Sequence, residues 1–166
     1  MAEAAERHHI VGQSVTLQRV LEQIERVANI PRSVLVRGER GTGKELVARA
    51  IHRASGPDRP FVAVNCAALP DGLLENELFG HERGGFSGAD LRAQGKFELA
   101  SGGTLFLAEI GNMSAAFQHK ILRVVEYGTL RRVGGTREVR VTTRIVAATN
   151  VDLEAAMAQG HFLPDL

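Results

Sequence analysis

Apolar residues follow two alternating patterns along the chain. Short continuous apolar runs, which predict buried strands, lie at residues 33–36, 61–64, 104–107 and 144–148. Between these runs, apolar residues recur every three or four positions, which predicts amphipathic helices at residues 17–28, 46–51, 69–79, 117–125 and 152–159. Strands that alternate with helices predict an α/β fold with a largely parallel sheet.

Residues that start, stop or turn the chain lie at the borders of these elements. Ser14 is a predicted N-cap, and Pro31 ends the first helix. Gly134 and Gly135 predict the turn of a hairpin over residues 128–141. A glycine-rich stretch spans residues 80–88, and the sequence has no internal repeat.

The composition is that of a single globular domain. The chain has 166 residues, of which 44% are hydrophobic and 23% are charged. A chain of this length buries roughly 70% of its unfolded surface. These values exclude a disordered segment, a collagen-like fibre and a coiled coil. The net charge of +1 gives no overall attraction to nucleic acid or membrane, and an aromatic content of 5% argues against a base-stacking surface.

Cysteine content and hydropathy indicate where in the cell the protein is expected. Cys66 is the single cysteine, which excludes an internal disulfide and a multi-cysteine metal site. We expect Cys66 to be a small residue of the core. No apolar run approaches the roughly 20 residues that span a bilayer, and the acidic first residues lack a signal-peptide core. The sequence therefore predicts a cytoplasmic protein with a flexible N-terminus over residues 1–9 and a folded domain over residues 10–166.

A phosphate-binding loop is the clearest chemical motif. Residues 38–44, GERGTGK, fit the pattern G-x-x-x-x-G-K, and they directly follow a predicted strand and precede a predicted helix. Glycines let successive backbone N–H groups point at one anion, the helix N-terminus adds its dipole, and Lys44 places a positive charge on the outer phosphates. The alternative is a glycine-rich turn with an incidental lysine, which the strand–loop–helix context disfavours.

Five segments, taken in order, resemble one family. They read GERGTGKE at residues 38–45, FVAVNCAA at 61–68, ELFGHERGGFSGA at 77–89, GGTLFLAE at 102–109 and RIVAATN at 144–150. Together they resemble the central AAA+ domain of bacterial enhancer-binding proteins, the ATPases that remodel RNA polymerase carrying sigma-54. GGFSGA is close to GAFTGA, a hexapeptide peculiar to this family, and YGTL at residues 127–130 is most similar to the phage-shock activator branch.

The resemblance implies a three-layer α/β P-loop NTPase fold with a mainly parallel sheet. In the family a fifth strand flanks the phosphate-loop strand, and a helical lid and any DNA-binding domain follow it; all of these would lie past Leu166. We therefore expect a partial domain over residues 10–166 that lacks its last strand and lid. Residues 34–36 would then form an unpaired apolar edge, which favours aggregation.

For the nucleotide, the resemblance implies ATP with Mg²⁺. The phosphate cradle would comprise Gly38, Glu39, Arg40, Gly41, Thr42, Gly43, Lys44 and Glu45, and the adenine pocket would include Val11 and Gly12. Gly41, Thr42, Gly43 and Lys44 resemble the family's phosphate cradle most directly, and Val11 and Gly12 lie where such proteins form part of the adenine pocket.

The resemblance also implies four catalytic residues. Glu109 matches the glutamate that polarises the attacking water, and Asn65 matches the switch residue that holds this glutamate away. Thr149 and Asn150 match the sensor at the end of the fourth strand. A carboxylate just past a buried strand meets the phosphate loop at the carboxyl edge of the sheet. By residue chemistry alone, capping a turn is the favoured role of Asn65.

The implied partner is sigma-54 RNA polymerase, and the intact family assembles into a ring. The contact loop would comprise Gly84, Gly85, Phe86, Ser87, Gly88 and Ala89, with Phe86 and Ser87 at its tip. By composition alone, Phe86 is equally compatible with a buried loop position. Residues 123–144 contain six arginines and two glutamates, a local net charge of +4. A solvated hairpin is the favoured interpretation, and a pore-facing hairpin near DNA or sigma-54 is the alternative.

Several positions depart from the family pattern. Ala108 stands where an Asp usually helps to hold magnesium, and Leu163 where an arginine acts on a neighbouring subunit's nucleotide. Glu45 departs from the general P-loop motif, in which a Ser or Thr usually holds magnesium. Gly85 replaces an alanine of the hexapeptide and is expected to loosen the loop.

Two functions follow from these observations. The first is the ATPase core of a sigma-54-dependent activator. The second is a non-hydrolysing module that binds nucleotide or sigma-54, which Ala108, Leu163 and the expected loss of the lid favour. A small-molecule kinase leaves GGFSGA unexplained.

Overall fold

A computed structural model describes residues 10–85 and 87–166 of the chain. The strands are β1 (Val34–Arg37), β2 (Phe61–Asn65), β3 (Gly80–His81), β4 (Ala93–Gln94), β5 (Thr104–Ala108), β6 (Thr129–Arg131), β7 (Glu138–Arg140) and β8 (Arg144–Thr149). The helices are α1 (Val15–Ala28), α2 (Lys44–Ser55), α3 (Asp71–Phe79), α4 (Lys96–Leu99), α5 (Ala115–Tyr127) and α6 (Leu153–Ala158), with a 3-10 helix at Ile110–Asn112. The predictions for residues 1–9 and for Phe86 lie outside the described residues.

Four parallel strands form the central sheet in the order β1-β8-β5-β2. Val146 of β8 pairs with Val34 on one side and with Phe106 on the other, and Ala63 of β2 pairs with Phe106. Parallel strands need crossover connections. Along the chain, α2 lies between β1 and β2, α3 between β2 and β5, and α5 between β5 and β8. The predicted α/β fold with a mainly parallel sheet is confirmed.

Helices cover both faces of this sheet, which gives three layers. Successive side chains of a strand point to opposite faces, so Phe106 of β5 packs in one core while Leu105 and Leu107 pack in the other. The first core adds Leu21, Ile24, Ala48, Ala50, Ile51, Val146 and Ala148, chiefly from α1 and α2. The second adds Leu74, Leu78, Phe79, Phe97, Phe117 and Ile121, from α3, α4 and α5.

Strand β1 lies at one edge of the sheet and, among the described residues, pairs only with β8. Its Leu35 is 44% exposed, so this edge presents an apolar side chain beside unpaired backbone groups, which favours strand addition by another chain. The strand extends one residue further than predicted because Arg37 pairs with Thr149 of β8.

The predicted hairpin is confirmed, since β6 and β7 pair antiparallel through Thr129 and Arg140. Gly128, with a φ of +63°, ends α5 and starts this hairpin. The antiparallel ribbon of β3 and β4 and the short helix α4 were not predicted; they flank the glycine-rich stretch. In residues 10–85 and 87–166, no helix has the length and hydropathy needed to cross a membrane.

Candidate functional site

The phosphate loop connects β1 to α2 and leaves the start of α2 open. Gly41 and Gly43 have φ values of +79° and +85°, a left-handed backbone that glycine adopts without strain. Gly43 is also the N-cap of α2, and no side chain caps this helix end. The first backbone N–H groups of α2 are therefore available to an anion, which the helix dipole also favours.

Lys44 folds back onto this loop. Its Nζ donates to Gly38 O at 3.0 Å and to Glu39 O at 2.7 Å, and Thr42 Oγ1 donates to Glu39 O at 2.8 Å. Both acceptors of the ammonium group are neutral carbonyl oxygens. Because a phosphate carries negative charge and these carbonyls do not, a bound phosphate would add a Coulomb attraction that draws Lys44 Nζ away from the carbonyls.

A cavity of about 620 Å³ lies beside the phosphate loop, within the roughly 300–1,000 Å³ typical of ligand pockets. Its polar side includes the phosphate-loop residues Gly38, Thr42, Gly43 and Lys44. Its apolar side includes Ile10, Leu17, Val20 and Leu46. A phosphate cradle beside an apolar wall has the polarity of a nucleotide, whose phosphates and base need different surroundings.

Neither of the two predicted adenine contacts lines the cavity. Val11 is 99% exposed and does not line the cavity. Gly12 packs against α1, since a Cβ there would lie 2.4 Å from Leu17 Cδ2. Ile10, which precedes them, lines the cavity. Sequence reasoning missed Ile10 because its apolar character alone does not distinguish it from Val11.

The four predicted catalytic residues lie together at the carboxyl edge of the sheet. Asn65 ends β2, Thr149 ends β8, and Glu109 and Asn150 directly follow β5 and β8. Gly38 N donates to Thr149 O at 3.3 Å, which joins this edge to the phosphate loop. The parallel register thus brings all four residues to the edge where α/β sheets bind ligands.

Asn65 and Thr149 use their side chains locally. Asn65 Oδ1 accepts from Ala67 N at 3.0 Å, which caps the turn after β2. Thr149 is buried, and its Oγ1 accepts from Val151 N at 3.0 Å, whereas Asn150 is exposed. Asn65 therefore serves as a turn cap here, and its switch role stays a prediction.

Glu109 has a strained backbone. Its φ and ψ are 59° and 43°, and among the described residues it is the one non-glycine with positive φ. The left-handed region costs an ordinary side chain on the order of 1–3 kcal/mol. Such strain clusters at functional sites, and here it fixes the half-buried carboxylate directly after β5.

Substitution Glu109→Gly is expected to raise the free energy of unfolding by about 1 kcal/mol, because glycine adopts this conformation freely. Glu109→Gln keeps the Cβ and the strain, so its stability should match that of the wild type. Urea unfolding followed by circular dichroism measures both variants. Equal stability of the Gly and Gln variants would show that the backbone at this position is unstrained.

Two residues beside the phosphate loop, Glu45 and Ala108, are poor candidates for holding a magnesium ion. Glu45 Oε1 accepts from Arg49 Nη2 at 2.7 Å, so this carboxylate is already paired, and Ala108 carries no ligand atom. Magnesium in nucleotide sites is usually held by one or two carboxylates with the substrate phosphates. No cluster of three or more His, Cys, Asp or Glu suited to a metal occurs in the described part of the chain.

Cys66 follows Asn65 but has no chemical role at this edge. It is buried, as predicted for a core residue. Burial raises the pKa of its thiol to about 12, so the thiol stays protonated and unreactive near neutral pH.

The predicted partner loop is closed at its base. Gly84 N donates to Ala89 O at 2.8 Å, and Ala89 is buried. Ser87 and Gly88 are exposed. Phe86, the predicted contact at the tip, lies outside the described residues.

Gly85 allows this loop to rest directly on the β6–β7 hairpin. A Cβ on Gly85 would lie 2.5 Å from Val133 O, and a Cβ on Gly134 would lie 2.4 Å from Gly85 Cα. Both distances are too short for real Cβ contacts, so two glycines make the close approach feasible. The expectation that Gly85 loosens the loop therefore overlooked this backbone contact.

Arg132 joins the hairpin to the base of the loop. Its side chain is 4% exposed, and it donates to Glu98 through Nε at 2.8 Å and Nη2 at 2.5 Å, and to Glu82 through Nη1 at 2.8 Å. The hydrogen bond to Glu98 is the main cause that raises the pKa of Arg132, and the bond from Arg132 lowers the pKa of Glu82. The prediction of a solvated hairpin is wrong at Arg132, because this side chain is buried and paired. The charge count could not reveal this, since both partner carboxylates come from distant segments.

A second ion pair, also missed in the sequence, lies at the phosphate-loop end of β1. Arg37 Nη1 and Nη2 donate to the two carboxylate oxygens of Glu154 at 2.7 Å and 2.6 Å. These hydrogen bonds lower the pKa of Glu154 to about 2. The pair is exposed, so it orients α6 against β1 rather than adding much stability.

Comparison with known proteins gives one consistent result. The model of the Sigma-54 interaction domain family matches residues 10–166. The Nif-specific regulatory protein of Rhodobacter capsulatus is 58% identical over 161 residues, which are 95% of this chain and 27% of that protein. The chain therefore spans about a quarter of this curated relative.

Two solved structures are similar. NtrX from Brucella abortus in complex with ATP has a TM-score of 0.84 and 42% identity, covering 93% of this chain and 35% of that chain. The P-loop NTPase domain of the sigma-54 transport activator from E. coli has a TM-score of 0.58 and 18% identity, covering 93% of this chain and 89% of that chain, a likeness of fold alone.

Proposed function

The chain belongs to the sigma-54 interaction domain family, and from this premise we propose that it is the ATP-binding AAA+ core of a sigma-54-dependent transcription activator. The observation that carries the proposal is the juxtaposition of the Lys44 loop, its adjoining cavity and Glu109 at one sheet edge. The loop and the start of α2 would hold the phosphates, and the apolar wall would receive the base. A cytoplasmic location and ring assembly of the whole protein belong to the same proposal.

In this proposal, Glu109 polarises the attacking water and Asn65 is the switch residue that holds Glu109 away from it. The connection from Asn65 to the partner loop is short, because β2 ends at Asn65, α3 follows, and α3 runs directly into β3 at Gly80. A shift of the turn that Asn65 caps would therefore move α3 and, with it, the base of the loop at Gly84. This path would couple the nucleotide to the contact with sigma-54.

Binding to sigma-54 tests the partner assignment. In the presence of ADP and a metal fluoride, which mimic the transition state, the chain is expected to be retained weakly by immobilised sigma-54. Phe86→Ala should abolish this retention and leave nucleotide affinity unchanged, because an aromatic anchor commonly dominates such a contact. Leu73→Ala, which removes an exposed apolar side chain on α3, is the control. Equal retention of the two variants would remove the loop from the contact.

A second candidate is a module that binds nucleotide without turnover. Ala108 cannot contribute a carboxylate, and Leu163 cannot act as an arginine finger, whose contribution is on the order of a thousandfold or more in rate. The backbone N–H of Leu163 donates to Gln118 Oε1 at 2.7 Å. We expect little or no phosphate release from ATP, and only partial recovery in Ala108→Asp. Robust turnover by the unmodified chain would contradict this candidate and favour the ATPase.

A further inference from the structure

A second cavity lies at the opposite edge of the sheet from the phosphate loop. Its volume is about 810 Å³, again within the roughly 300–1,000 Å³ typical of ligand pockets. The first residues of β5 and β8, Thr104 and Arg144, line it, together with the C-terminal ends of α1, α2 and α5. The proposed nucleotide site uses the carboxyl edge, so this cavity has no part in it.

The charged lining of this cavity is cationic. Arg32, Arg59 and Arg144 line it, and no Asp or Glu is among its described lining residues. Arg32 and Arg59 are exposed, so their flexible stems allow the guanidinium groups to turn toward a ligand. A cleft lined by one sign of charge concentrates ligands of the opposite sign.

Arg144 is held in place by the end of α1. Its guanidinium donates to Val27 O at 2.6 Å, to Ala28 O at 2.8 Å and to Arg32 O at 3.2 Å. All three acceptors are neutral carbonyl oxygens, so these bonds fix the group without cancelling its charge. A positioned cation therefore forms part of the cavity wall.

The helix ends around the cavity oppose the arginines only partly. Each helix C-terminus carries roughly −0.5 charge, so α1, α2 and α5 together contribute roughly −1.5, against three formal positive charges. His52 adds little positive charge near neutral pH, because burial lowers its pKa. The cavity therefore keeps a net positive charge.

We propose that this basic cavity binds a phosphorylated small molecule, with its phosphate groups at Arg32, Arg59 and Arg144. The exposed guanidinium groups of Arg32 and Arg59 can meet phosphate oxygens in a bidentate geometry. Arg144, whose three nitrogens already donate to carbonyl oxygens, adds its positive charge. Val141 and Ile145, which also line the cavity, give the organic part an apolar surface. This site is independent of the nucleotide site proposed above.

Calorimetric titration of the Lys44→Ala chain tests the cavity while the phosphate loop is weakened. Inorganic pyrophosphate and ATP are the probes. Arg32→Glu and Arg59→Glu are each expected to weaken binding about tenfold or more, since each replaces an attractive charge by a repulsive one. Arg19→Glu reverses an exposed charge on α1 outside the lining, and this control should bind both probes as the parent does.

The outcomes separate the sources of phosphate. Tighter binding of ATP than of pyrophosphate supports an organic phosphate if Arg59→Glu removes the difference, because residual binding at the phosphate loop would not respond to Arg59. Equal affinity for the two probes supports recognition of phosphate groups alone. The proposal is overturned if neither probe binds saturably, or if Arg59→Glu and Arg19→Glu bind equally well. A preference for duplex DNA over both probes would also overturn it. Urea unfolding midpoints, with Arg59→Ala as a milder variant, verify that each chain is folded.

Discussion

Substitution Arg132→Met is expected to lower the free energy of unfolding by about 3–5 kcal/mol, the typical cost of removing one partner of a buried ion pair. Glu98 and Glu82 would lose three hydrogen bonds of 2.5–2.8 Å, and the Glu98 side chain is 9% exposed. Methionine fills a volume similar to that of arginine, so the substitution leaves little empty space. The loss in the free energy of unfolding therefore comes mainly from the two carboxylates that no longer have a cationic partner. Urea unfolding at neutral pH measures the change.

The neighbouring arginine provides the matched control. Arg131 is exposed and pairs with Glu138 at 3.2 Å, so Arg131→Met should cost less than about 1 kcal/mol. Adding Glu98→Leu to Arg132→Met should recover part of the lost stability, because the buried charge is then removed with its partner. Similar losses for Arg132→Met and Arg131→Met would show that the buried network contributes little.

The pH dependence of the Arg132→Met loss has a defined sign. In the wild type, Arg132 lowers the pKa of Glu82, so the stability from this pair is present above the ordinary pKa of glutamate and is lost as the pH falls below it. In the variant, protonated carboxyls need no cationic partner. The difference in stability between wild type and variant should therefore shrink as the pH is lowered through about 4.

The Arg132 network has a consequence for the partner loop. Glu82 precedes the loop and Glu98 lies on α4, beyond β4, so one guanidinium ties both flanking segments to the hairpin. The close approach of Gly85 to Gly134 adds a backbone contact on the same side. Gly85 and the segments that flank the loop are therefore held against the hairpin by these contacts.

Local patterns predicted the sheet and the phosphate loop, because neighbouring residues determine both. Apolar runs placed the four parallel strands to within about one residue at each end. The end of β1 was missed, since Arg37 is polar and its strand pairing depends on Thr149, far away in sequence. The β3–β4 ribbon was missed for a related reason: each of its strands has two residues, too few for any alternation to be visible.

Features that depend on distant contacts could not be predicted. Arg132 meets carboxylates 34 and 50 residues away, and a charge count over residues 123–144 cannot reveal such pairs. The apolar wall beside the phosphate loop combines Ile10 and Leu17 with Leu46 of α2, and only the packing of α1 on α2 brings them together. The left-handed backbone of Glu109 is likewise imposed by the strand before it and the 3-10 helix after it.

Substitution Lys44→Ala is expected to weaken ATP binding at the phosphate loop about 10- to 150-fold, which corresponds to the roughly 1.5–3 kcal/mol of a hydrogen bond to a charged group. Stability without nucleotide should change little, because Lys44 Nζ bonds only to the loop carbonyls of Gly38 and Glu39. Calorimetric titration in an Arg59→Glu background measures this affinity without the second cavity. The control is Lys120→Ala on α5, which removes the ion-pair partner of Glu75 on α3. This variant should bind ATP normally. Unchanged affinity in Lys44→Ala would show that the open start of α2 and the glycine backbone hold the phosphates without the lysine, and the assignment of residues 38–44 as a lysine-dependent phosphate loop would then be wrong.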